Sequence, residues 1–145
     1  MTTAVVEALQ TALAAEHSAC YGYGVVGAHL AEGSAALASA GADWIAHQQS
    51  RDQLAAMITD QGGQPVVSAV AYELPFPVTS ASTAIQLAAT MEDGVAQAYQ
   101  AVVALRQPQL RSFGAQQVRT AALRAESWRG STLPFPGLPP ASLRP

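Results

Sequence analysis

Residues 9–24, LQTALAAEHSACYGYG, decide the fold. Within them Glu16 shares a stripe with Leu9 and Leu13 before it and Cys20 and Tyr23 after it, at offsets of −7, −3, +4 and +7. An α-helix places those positions on one face, because about 3.6 residues complete a turn. A carboxylate therefore stands in the middle of an apolar helical stripe. Charged side chains are almost never fully buried unless paired, so Glu16 requires a partner. The pattern recurs around Glu92, which lies between Ile85, Ala89, Ala96 and Tyr99 at the same four offsets. Both stretches read Glu-x6-Tyr.

Outward from this stretch, residues 3–32 read as one helix, capped by Thr2 or Thr3 and stopped by Gly33-Ser34, which also opens the next helix. Residues 35–61 form a second, carrying Leu37, Trp44, Ile45, Leu54, Met57 and Ile58 and ended by Gly62-Gly63. Residues 63–80 set Pro65, Pro75 and Pro77 among apolar side chains, which excludes helix and predicts an extended crossover along the outside of a bundle. Residues 81–107, capped by Ser80 or Ser82, make a third helix, and Pro108 marks a break. Residues 110–130 make a fourth, closed by Gly130. The predicted class is all-α: a four-helix bundle over 1–130, with one long crossover between its second and third helices and a proline-rich tail over 131–145.

Composition narrows the function. The 145 residues suit one domain, half of them are apolar, and only 12% are charged, with a net charge of −3. All seven basic residues are arginine. Without a concentrated basic face, neither nucleic-acid binding nor polybasic attachment to a membrane is expected. No apolar run approaches the roughly 18 residues of a transmembrane helix. The start MTTAVVEALQ lacks a basic region and meets Glu7 early, so no signal peptide is expected. The single Cys20 excludes an intrachain disulfide, and a cytoplasmic protein is expected. Gly22, Gly24 and Gly27 match G-x-G-x-x-G, but a helix precedes them where a dinucleotide fold needs a strand. They read instead as places where a neighbouring element approaches closely. The tetrapeptide Leu74-Pro75-Phe76-Pro77 recurs as Leu133-Pro134-Phe135-Pro136, and each copy is expected to plug apolar side chains onto the bundle.

The turns set the level of each residue. Glu16 lies about 25 Å along its helix from Gly33, at the helical rise. The return helix brings residues near position 50 level with it, where His47, Gln48 and Arg51 stand. Glu92 lies equally far before the turn near position 109, which sets Glu126 and Arg129 level with it. Gln48-x-x-Arg51 and Glu126-x-x-Arg129 thus hold matching places on the two return helices. The chain reads as two copies of one helical hairpin with a polar layer at mid-height. That layer comprises Glu16, Gln48, Arg51, Glu92, Glu126 and Arg129, with the arginines neutralising buried carboxylates and His47, Tyr23 and Tyr99 completing the hydrogen bonds.

This arrangement resembles the ferritin-like superfamily. In detail it is similar to an actinobacterial ferritin-like family of unknown function, on the segments LQTALAAEHSACYGYG, AYELPFPVTSAS, MEDGVAQAY, SWRG and FPGL. The superfamily resemblance implies a glutamate from the first and third helices and Glu-x-x-His from the second and fourth, together holding two metal ions. Glu16, Glu92 and Glu126 match that pattern, Gln48 replaces the fourth glutamate, and Arg51 and Arg129 replace both histidines. Arginine stays protonated and cannot ligate a metal. The expectation is a degenerate di-iron site without a cofactor, in a non-enzymatic binding or assembly module. The alternative is a metal-dependent oxidoreductase or metal-binding protein holding iron or manganese on Glu16, His47, Glu92 and Glu126. A third reading is a small-molecule binder with Arg51 and Arg129 as anion hooks. Cys20, one turn from Glu16, reads as a small core residue; as a nucleophile it would need His17 or His47 as base. No partner is identified, and a homo-oligomer remains open.

Overall fold

The computed structural model describes residues 2–130, and the proline-rich segment 131–145 lies outside the described residues. The described chain is all-helical: α1 (Thr2–Ala28), α2 (Ala35–Asp60), α3 (Ala81–Ala98), the single turn α4 (Gln100–Val103) and α5 (Pro108–Arg129). Helix α4 continues α3 after an irregular step at Tyr99, so the architecture is a four-helix bundle. No described helix is long and apolar enough to cross a membrane.

Local chemistry explains the boundaries. Helix α1 gives way after Ala28, short of the expected end at position 32. There His29 and Leu30 donate to the carbonyls of Val26 and Gly27, tightening the last turn. Ser34 accepts from the Leu37 amide as the N-cap of α2. Ser80 and Thr83 form a reciprocal capping box at the start of α3. The expected third helix over 81–107 ends early, at Val103, since Pro108 holds Gln107 in extended geometry (φ −69°, ψ 118°). That same proline starts α5 slightly earlier than the expected position 110.

Residues 61–80 contain no helix. The segment is tied along α1: the Gln10 side chain donates to Gln64 O and accepts from Val66 N, and His17 meets Val66 O at 2.9 Å. Tyr72 packs against Tyr21 with ring centroids 5.7 Å apart. Leu74, Phe76 and Val78 then seat against the core.

Helix α1 packs on α2 and α3, and α3 packs on α5. The core divides into two clusters. One gathers Leu9, Leu13, Leu54, Ile58, Tyr99 and Val102, and the other Tyr23, Val26, Ala40, Ala84, Leu87 and Ala88. Each fully buried leucine or isoleucine contributes roughly 1.5–3 kcal/mol. Between the clusters lie Glu16, His47 and Glu92, all at or below 1% exposure.

Candidate functional site

Helices α1 and α3 each bring one glutamate and one tyrosine inward, two helical turns apart. The hydroxyl of Tyr23 on α1 donates to Glu92 Oε1 on α3 at 2.6 Å. The hydroxyl of Tyr99, at the end of α3, donates to Glu16 Oε1 on α1 at 2.6 Å. This reciprocity means the two helices run antiparallel. It also staggers the glutamates along the bundle, since each stands level with the other helix's tyrosine.

His47 on α2 fills the space between them. Its Nδ1 lies 2.5 Å from Glu16 Oε2 and its Nε2 lies 2.8 Å from Glu92 Oε1. With both carboxylates ionised their oxygens only accept, so both ring nitrogens donate and the ring is an imidazolium. Burial works against that charge, but the hydrogen bonds to Glu16 and Glu92 outweigh it and hold the imidazole's pKa up at about 9. Tyr23 stacks on the imidazole with centroids 5.3 Å apart. Burial and the adjacent Glu92 push the Tyr23 phenol well above its usual value, and burial with Glu16 does the same for Tyr99. Both phenols therefore remain donors. Glu92 Oε2 is buried without a hydrogen-bond partner.

A half-buried fringe joins this centre to the surface. Trp128 on α5 donates from Nε1 to Asp43 Oδ2 at 3.0 Å and lies 3.1 Å from the Tyr23 hydroxyl. Burial raises the Asp43 pKa, against the hydrogen bond from Trp128 and the charge of Arg124, whose Nε is 3.4 Å away. Ser50, one turn beyond His47, donates to Gln117 of α5 at 3.3 Å.

The structure therefore brings together Glu16, Glu92, Tyr23, Tyr99 and His47, and leaves the other expected polar-layer residues outside. Arg51 pairs with its exposed neighbour Asp52 at 2.8 Å. Arg129 pairs with Asp93 at the bundle surface and reaches the Ala89 carbonyl. Glu126 is exposed and Gln48 is only partly buried. The expected pairing of Glu16 and Glu92 with Arg51 and Arg129 is thus corrected: one histidine supplies the positive charge for both. Asp52 and Asp93 hold the two arginines at the surface; for Gln48 and Glu126 the reason is rotation. Each helical residue turns the side chain by about 100°, so placing the right level on the wrong neighbour moves it off the inner face. The buried residues of α5 are Gly114 and the small Ala121 and Ala125. Asp43 and Trp128 carry site hydrogen bonds, and Arg124 an ion pair with Asp43, that the spacing arithmetic missed. The nearest signal was the run of Ala40, His47, Leu54 and Ile58 on α2, which puts His47 rather than Gln48 on the buried stripe.

The di-metal centre implied by the resemblance does not fit these donors. Both nitrogens of His47 are committed to carboxylates, Glu126 points elsewhere, and α5 offers alanines. Among the described residues no group of three or more His, Cys, Asp or Glu side chains is arranged to hold a metal ion. Cys20 is not poised as a nucleophile either. Burial, opposed in part by Arg51, pushes its thiol up to about 11, and His17 is bound to Val66 O. Gly22 in the G-x-G-x-x-G run lies inside α1, where Met91 of α3 fills the space a side chain would need.

A family described as a domain of unknown function (DUF4439) matches residues 8–140. Among solved structures, the chain is similar to the crystal structure of a conserved hypothetical protein, rv2844, from Mycobacterium tuberculosis. Identity is 32% and the TM-score 0.84, over 88% of this chain and 96% of that one. No curated protein matches the sequence.

Proposed function

The chain belongs to the DUF4439 family of unknown function, and from that premise we propose a non-redox binding or assembly module of ferritin-like architecture. The bundle layout and the paired inward glutamates support the ferritin-like assignment. The mycobacterial source of the similar structure supports an actinobacterial family. One observation carries the reading: the ring of His47 bridges Glu16 and Glu92 at 2.5 and 2.8 Å. In a ferritin-like carboxylate centre the metal ions neutralise the inward glutamates. Here a protonated side chain does so. A positive charge at that point repels a cation, and neither ring nitrogen has a lone pair to offer.

The consequence is a rigid centre rather than a reactive one. A buried carboxylate is costly unless it is paired and hydrogen-bonded. Each glutamate receives one charge-assisted bond from His47 and one from a tyrosine, which locks α1, α2 and α3 at a fixed spacing. Such a core specifies one packing of a chain whose helices are otherwise rich in interchangeable alanines.

Elemental analysis tests this reading. Protein purified from cultures supplemented with iron and manganese, then desalted, is expected to retain less than one metal ion per chain. Retention of about two ions, the load of a di-metal carboxylate centre, would overturn it.

A further inference from the structure

Helix α2 and helix α5 do not close on each other. Between them lies a cleft of about 520 Å³, lined by Ala36, Ser39, Asp43, Leu123, Arg124 and Trp128 among others. Leu123 is 53% exposed there, an apolar side chain left to water. Asp43 faces Arg124 and Ser50 faces Gln117, so the two helices run antiparallel in constant register. That register sets the end of α5 beside the first turn of α2, at the mouth of the cleft.

Helix α5 closes at Gly130, whose φ of +81° is left-handed and whose N–H returns to Glu126 O. A left-handed residue at this point takes the chain off the helix axis and lets it double back. The next residues read STLPFPGLPP. Along α2 the cleft runs from Ala35 to Asp43, about 12 Å at the helical rise. Four extended residues span about 13 Å, so the stretch from residue 131 reaches its full length. The first copy of the tetrapeptide shows how such a stretch packs: Leu74 and Phe76 seat on the core cluster that includes Tyr23, Ala40 and Leu87, with Trp128 against the same cluster. The family match continues through residue 140, well past Gly130.

We propose that the cleft between α2 and α5 is the docking site for the chain's own segment 131–140, with Leu133 and Phe135 covering Leu123 and Trp128. Pro134, Pro136, Pro139 and Pro140 have no N–H, so the segment brings few backbone donors to strand against an apolar wall. Its carbonyls find a donor in Arg124, which lines the cleft with its Nε 3.4 Å from Asp43 Oδ1. The second copy of the tetrapeptide then does for the α2–α5 seam what the first does beside α1 and α3.

The test uses the full chain. Trp44 and Trp128 are its two tryptophans, so Trp44→Phe leaves Trp128 as a reporter. Adding Leu133→Asp and Phe135→Asp is expected to red-shift Trp128 emission and raise its quenching by acrylamide, with far-UV circular dichroism unchanged. Unchanged emission and quenching would overturn the proposal, as would Trp128 protection that grows with protein concentration, since a second copy would then be the occupant. An independent arm pairs Ser39→Cys with Phe135→Cys in a Cys20→Ala background. Oxidation at low concentration is expected to give an intramolecular disulfide; disulfide-linked dimers alone, or free thiols, would overturn it.

Discussion

Replacing His47 with leucine removes the one positive charge that two buried carboxylates share. Glu16 and Glu92 are both 0% exposed, so water cannot take over the role of the ring. Each keeps a single tyrosine donor, and two like charges then face each other across the gap the imidazole filled. Breaking a buried ion pair by removing one partner costs about 3–5 kcal/mol. For a chain of this length that is a fall in Tm of about 10–15 °C. A second route gives a similar size. The imidazole's pKa of about 9 in the folded state stands above its ordinary 6.5. A raised pKa contributes stability that is full below 6.5 and is lost as pH climbs through about 9, a change of about 3 kcal/mol. Urea denaturation across that window should therefore show the wild type weakening with rising pH and His47→Leu staying flat. Adding Glu16→Gln and Glu92→Gln to His47→Leu should recover part of the loss. A His47→Leu protein within about 1 kcal/mol of wild type at pH 6 would refute the reasoning, because stranded carboxylates cannot be that cheap.

Tyr23→Phe and Tyr99→Phe each remove a hydrogen bond to a buried carboxylate, and each should cost about 1.5–3 kcal/mol in urea denaturation, with similar values for the two. Arg51→Met should change stability by less than about 0.5 kcal/mol, because its partner Asp52 is 71% exposed in the side chain; a large loss in thermal melting would restore the arginine to the core. At Gly114→Ala the added methyl would meet Val103 N at 2.9 Å and Val102 C at 3.1 Å, both backbone atoms that cannot step aside. Melting should show a loss of about 1–3 kcal/mol, as for other overpacked sites.

What the sequence yielded and what it withheld divide along one geometric line. Levels along the bundle were legible, because turn positions and a constant helical rise determine them. That is how Glu16 and the residues near position 47 were matched across the first hairpin. Rotation about the helix axis was not legible from the turns. A shift of one residue swings a side chain by about 100°, which separates buried His47 from Gln48 and buried Ala125 from Glu126. The apolar stripe on α2 held the correction, since Leu54 lies two turns after His47. The Glu-x6-Tyr repeat gave the two tyrosines, but not their crossing. In antiparallel helices a tyrosine two turns after a glutamate meets the other helix's glutamate, and the stagger follows from that. Asp43 and Trp128 escaped because their partnership joins α2 to α5 across 85 residues, and no local spacing reports it.

The charge state of His47 tests the account most directly. Nitrogen-15 NMR of histidine-labelled protein distinguishes an imidazolium, with two protonated ring nitrogens, from either neutral tautomer. At pH 7 the His47 resonances should report both nitrogens protonated, lose that signature only as pH rises through about 9, and stay unmoved on adding iron(II) or manganese(II). A neutral ring at pH 7, or resonances broadened stoichiometrically by either metal, would contradict the claim that a protonated side chain holds the centre of this bundle.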